Sequence, residues 1–136
     1  MTTGESEPAS LSQRDIGAEH QRMGELIQAL TALIRDRTAA EAVLATAREL
    51  LRYSELHFGH EKELMERSHY PNAYAHLWEH RDLLDKLAML IHSLEGSGAV
   101  ATPHVVEFID RWFIDHVKGS DAELGAFLAG LEPAQD

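Results

Sequence analysis

No cysteine occurs among the 136 residues of this chain. Disulfides, zinc–thiolate sites, iron–sulfur clusters and cysteine nucleophiles are thereby excluded. Basic residues are scarce, with 12 Lys and Arg against 23 Asp and Glu and a formal net charge of −11. Such a surface repels polyanions, so neither nucleic acid nor an anionic membrane is expected as a partner. No apolar run approaches the roughly 20 residues that cross a bilayer. The opening MTTGESEPAS has neither a basic nor an apolar segment, so it does not read as a signal peptide. Residues 1–10 are expected to be a disordered arm, and the default location is cytoplasmic. Strand patterns are missing as well, because no stretch alternates apolar and polar residues. What is plentiful is histidine, with nine in so short a chain.

Helix start and stop signals divide the rest. Ser10 and Gln13 form a capping box ahead of a stripe through Ile16, Met23, Ile27, Leu30 and Ile34. Thr38 and Glu41 form a second box, opening a run through Val43, Leu50, Leu64 and Met65 that stops before Tyr70-Pro71. A third helix is predicted from about Asn72 to Glu95, ended by Gly96-Ser97-Gly98. Thr102 followed by Pro103 is an N-cap with proline at the first helical position. The last helix is predicted to reach about Gly130. Short connections make neighbours antiparallel. The expectation is an all-α, up-down-up-down four-helix bundle over residues 11–131, with 132–136 as a tail.

The histidines follow the apolar stripes. His76 and His80 share a face with Leu83, Leu84, Leu87, Ile91 and Leu94. His20 lies on the stripe of Ile16 and Met23. His57 and Glu61 continue the row of Leu50 and Tyr53. His116 shares a face with Ile109 and Trp112, and Asp121 lies near Leu124. Counted back and forward from each turn at about 1.5 Å per residue, all seven fall at one level of the bundle, pointing inward. Five imidazoles and two carboxylates buried there unpaired cost several kcal/mol each, and shared metal ions remove that cost. The remaining histidines fall elsewhere: His92 and His104 about 120° off this face, His69 in a turn, and His60 one position off the row, peripheral or at most supporting.

Seven ligands exceed the six positions of one octahedral ion. Two ions fit if Glu61 and Asp121 both bridge, and with one solvent oxygen between them a single position stays open for a small diatomic or anion. His116 and Asp121 are five apart, about 140° round a regular helix. A local widening such as a π-turn is therefore predicted near Gly119 and Ser120.

HFGHE at 57–61, HLWEH at 76–80 and WFIDHVKGSD at 112–121, preceded by His20, resemble the hemerythrin pattern. The chain is similar to the single-domain bacterial members of that family, from about Ile16 to Leu128. The resemblance implies a core metal site with two iron ions, an oxo/hydroxo-bridged di-iron centre that binds O2 reversibly. His76, His80 and His116 would hold one iron, and His20 and His57 the other, which has the open position. Glu61 and Asp121 would bridge. The family's O2-pocket positions are Met23, Phe58, Trp112, Phe113 and Val117 here, and they offer no acid to protonate bound O2. The resemblance implies an oxygen carrier, store or delivery protein rather than an enzyme, with NO, azide or other small anions as further ligands. The alternatives are a sensor of O2, NO or redox state acting through a separate protein partner, or a di-iron peroxidase or NO-handling enzyme. The chain departs from the pattern at Gly17, usually Asp, and at Phe113, usually Leu, and it lacks aromatic residues before the first helix. Phe113 is expected to narrow the pocket over the open position.

Overall fold

In the computed structural model, residues 13–37, 39–97 and 103–131 are described. The expected arm at 1–10 and tail at 132–136, with Ser10, Thr38 and Thr102, lie outside them. Four long helical segments make up the described chain: α1 (Gln13–Arg35), α2 (Ala40–Ser68), α3 (Ala73–Ser97) and a last one that begins at Pro103. This last segment is α4 (Pro103–His116), a π-helical turn (Val117–Asp121) and α5 (Ala122–Leu131). No strand occurs among the described residues.

Each helix buries the stripe its sequence spells out. Ile16, Met23, Ile27, Leu30 and Ile34 are buried on α1, and Leu83, Leu87, Leu90, Ile91 and Leu94 on α3. Leu84, expected on the same face, is only half-buried. The cap of α2 is Ala39, whose carbonyl accepts from the N–H groups of Ala42 and Val43. At the other end of α2 the chain turns at His69, which is left-handed with φ 57 and ψ 45. The His69 N–H bonds to the Glu66 carbonyl and the Tyr70 N–H to that of Met65, so the helix end is satisfied without glycine. Pro103 is the first residue of α4, where its missing N–H costs nothing.

Cross-helix pairs fix the directions. On α1 and α2, Arg22 meets Glu49 while His20 meets Glu61. On α2 and α3, Arg48 meets Glu95 while Glu61 meets His76. On α1 and the last segment, Arg35 meets Asp110 while His20 meets Asp121. On α3 and α4, the Lys86 ammonium lies over Phe108 while Glu79 meets His116. In every pair one number falls as the other rises, so all four neighbours are antiparallel and the bundle is up-down-up-down.

The core has two apolar parts. The larger runs from Met23 to Ile34, Val43 to Phe58, Leu83 to Leu94 and Ile109 to Trp112. The smaller, at the other end, holds Met65, Tyr70 and Leu124, with Leu77, Phe127 and Leu128 against them. Between these two lies a layer of buried polar side chains.

Candidate metal centre

That layer consists of His57 and Glu61 from α2, His76 and His80 from α3, His116 from α4 and Asp121 from the π-turn, all buried, with His20 of α1 at its edge. Donor atoms of Glu61, His76, His80, His116 and Asp121 lie within 4.8 Å of one another, and so do those of His20, His57 and Glu61. All seven residues named from the sequence are therefore brought together, in two groups that share Glu61.

The carboxylates link the groups. Glu61 turns Oε1 toward His76 (3.2 Å) and His80 (3.0 Å), and Oε2 toward His20 (3.0 Å) and His57 (3.3 Å). Asp121 turns Oδ1 toward His76 (3.1 Å) and His116 (3.2 Å), and Oδ2 toward His20 (2.9 Å). Each carboxylate thus offers one oxygen to each histidine group. The Nε2 atoms of His57, His80 and His116 are buried and close to these oxygens, yet none is aligned to hydrogen-bond. Lone pairs converging on a buried point, with ionised oxygens between them, are the donor set of a divalent cation that accepts both nitrogen and oxygen.

Asp121 reaches the cluster through the π-helical turn over Val117–Asp121. The widening expected near Gly119 and Ser120 is present, and it removes the angular mismatch between residues five apart.

The description "Hemerythrin HHE cation binding domain" matches residues 12–128. The chain belongs to the hemerythrin family. A "Hemerythrin-like protein" of Naegleria gruberi is 27% identical over 118 residues, covering 87% of both chains, and that of Naegleria fowleri gives the same figures. A "Myohemerythrin" of Theromyzon tessulatum is 24% identical over 102 residues, covering 75% of this chain and 79% of its own. No solved structure gives a significant match.

Two carboxylates of this hemerythrin site were not singled out in the sequence. Glu19 on α1 accepts from His57 Nδ1 through Oε1 and from His60 Nδ1 through Oε2, both at 2.7 Å. Glu79 on α3 accepts from His116 Nδ1 at 2.6 Å and from the Ser120 hydroxyl at 2.7 Å. A carboxylate can only accept, so Nδ1 of His57 and His116 carries the proton and Nε2 is left free toward the centre. His60 has the supporting place, through Glu19. The available signal is that each acid directly precedes a cluster histidine, in Glu19-His20 and Glu79-His80. One residue back is about 100° round the helix, which aims the acid at the neighbouring helix.

Of the five positions implied as an O2 pocket, Met23, Phe58, Trp112 and Phe113 belong to the larger core, and Val117 opens the π-turn just after His116. Met23, Phe58 and Trp112 are buried, while Phe113 and Val117 are half-buried. Phe58 stacks on His80 at 3.8 Å between ring centroids, and Trp112 on His116 at 4.5 Å. The Phe113 ring rests against Gly24 of α1, where an added Cβ would lie 3.3 Å from Cε2.

Charge is balanced by protons when no cation is bound. Burial would push the Glu61 carboxyl up, but contacts with His20, His57, His76 and His80 hold it far below the usual range. Asp121 is lowered likewise, against burial, by His116, His20 and His76. Burial disfavours charge on His20 and His76, yet the two carboxylates raise both to about 9. His80 goes the other way, to about 4, because burial dominates there and the charges of His116 and His76 add to it.

Proposed function

We propose that the chain is a non-haem di-iron protein that binds O2 reversibly, serving as an oxygen carrier, store or delivery protein. The observation that carries this reading is the pair of carboxylates, each directing one oxygen to each of two histidine groups. His76, His80 and His116 would hold one iron and His20 and His57 the other, with Glu61 and Asp121 each offering an oxygen to both groups. The two irons, when bound, supply reversible binding of O2. The group with only two histidines supplies fewer nitrogen donors, so a small ligand would be bound there.

The chain's own residues do the rest. Glu19 and Glu79 hold the His57 and His116 rings with Nε2 toward the metals. Met23, Phe58, Trp112, Phe113 and Val117 wall the ligand side with apolar surface, and no acid stands among them to deliver a proton. That favours release of O2 over its reduction. Family membership and the names of the relatives support metal binding, and the apolar pocket supports a carrier over an enzyme.

Metal analysis with an anaerobic optical titration tests the reading. Two irons per chain and a stable, reversible O2 adduct are expected, together with loss of the di-iron spectrum in His80→Ala. One metal per chain, or an intact spectrum in His80→Ala, would refute it.

A further inference from the structure

Among the described residues, three of the large apolar side chains that remain exposed stand on one face of α3. Tyr74 is 77% exposed, Trp78 62% and Met89 65%. Single exposed apolar residues are ordinary, but a tyrosine and a tryptophan one turn apart, followed by an arginine, have the composition of an interface. Tyr74, Leu77, Trp78, Arg81 and Asp85 line one surface groove. The face points away from the metal layer, about 180° round α3 from the buried His76, His80, Leu83 and Leu87.

The order of residues along this face is regular. Tyr74, Trp78, Arg81, Asp85, Ala88 and His92 succeed one another by alternating steps of four and three, and all six are exposed. That spacing is the seam along which two helices wind together, and no helix among the described residues occupies it. Laid against a second α3 running the opposite way, the seam complements itself. With the two-fold axis level with Leu83, Arg81 of each copy meets Asp85 of the other, Trp78 lies over Ala88, and Tyr74 faces His92. Opposite charges pair at the centre, a large ring sits over a small side chain, and every contact occurs twice, as an isologous interface requires. The seam has no net charge, unlike the −11 of the whole chain, so it fits a like seam better than a basic or an acidic partner. Repulsion between two acidic chains is screened beyond about 8 Å at physiological salt.

We propose that the outer face of α3 is a self-association surface, through which two copies of this chain pair as an antiparallel two-fold dimer. A seam of six residues a side is smaller than the roughly 20–30 of a standard interface, so the dimer is weak and depends on concentration. The metal layer faces away from the contact, and the proposal stands apart from the di-iron reading.

Sedimentation equilibrium of the full chain over a range of concentrations tests it. A monomer–dimer equilibrium is expected, and Trp78→Glu should weaken it about 30-fold or more, because a tryptophan packed inside an interface carries much of its energy. Arg81→Asp and Asp85→Arg should each be monomeric at concentrations where the wild type is dimeric. Mixed in equal amounts, these two variants should form dimers again, since opposite charges then meet at both central contacts. All three substitutions change exposed residues and should keep the wild-type helical circular dichroism. A wild type that stays monomeric at millimolar concentration would overturn the proposal. So would dimers that survive all three substitutions, or charge variants that stay apart when mixed, which would put the contact on another face or in another register. Binding of a monomeric wild type to phosphatidylcholine vesicles, lost in Trp78→Glu, would overturn it in favour of a lipid surface.

Discussion

Glu19 and Glu79 show how much of a buried cluster depends on residues outside it. Each holds the outer nitrogen of one histidine ring, so its loss frees the ring to turn. Glu19→Gln and Glu79→Gln keep the shape of the side chain but remove its charge. Each is expected to weaken metal binding roughly 10- to 100-fold, as for other partners of metal-bound histidine. Competition with a chelator of known affinity measures this, and unchanged affinity would mean that packing alone orients the rings. The place of Glu19 and Glu79 before His20 and His80 aims each at a neighbouring helix, but the histidine each one holds was not legible along the chain. That pairing is fixed only when the helices are placed. The seven inward residues were legible, because each continues an apolar stripe that has to be buried.

At the scale of elements, two irregular points matter. The π-turn over Val117–Asp121 was predictable because His116 and Asp121 could not otherwise face one centre. The end of α2 was predictable only as a turn. Its left-handed residue is His69, a position where glycine is free of strain and other residues are not. His69→Gly should therefore stabilise the fold by roughly 0.5–1 kcal/mol while leaving metal content unchanged. Urea denaturation of the loaded protein checks the first part, and elemental analysis the second. A drop in metal content would give His69 a part in the site that its exposed position does not suggest.

At the scale of the molecule, the polar layer couples stability to protons and metal. His20 and His76 are raised to about 9 in the fold, so in the metal-free chain their contribution is full below 6.5 and is lost as pH rises through 9. His80, lowered to about 4, works in the other direction and costs stability as pH falls from 6.5 toward 4. Glu61 and Asp121, both lowered, contribute fully above their unfolded values of 4.5 and 3.8 and lose this in stronger acid. The metal-free chain is therefore expected to be most stable near pH 6.5, as read by urea midpoints across pH. Metal replaces the protons of His20 and His76, so loading at pH 7.5 should acidify a weakly buffered solution and raise the melting temperature. Loading above pH 9 should release far less acid. Equal release at both pH values would mean that the two histidines are already neutral.

The amino-acid sequence by itself determined the helices, their antiparallel order and the level at which the seven inward histidines and carboxylates meet. Periodicity, caps and turn lengths are local properties, and burial of the stripes leaves those seven side chains no other face. Tertiary structure alone decided how the carboxylate oxygens divide between the two histidine groups and which ring each acid orients. Those depend on rotamers and on gaps between helices. Such distances are set when four helices pack together, and spacing along one chain does not encode them.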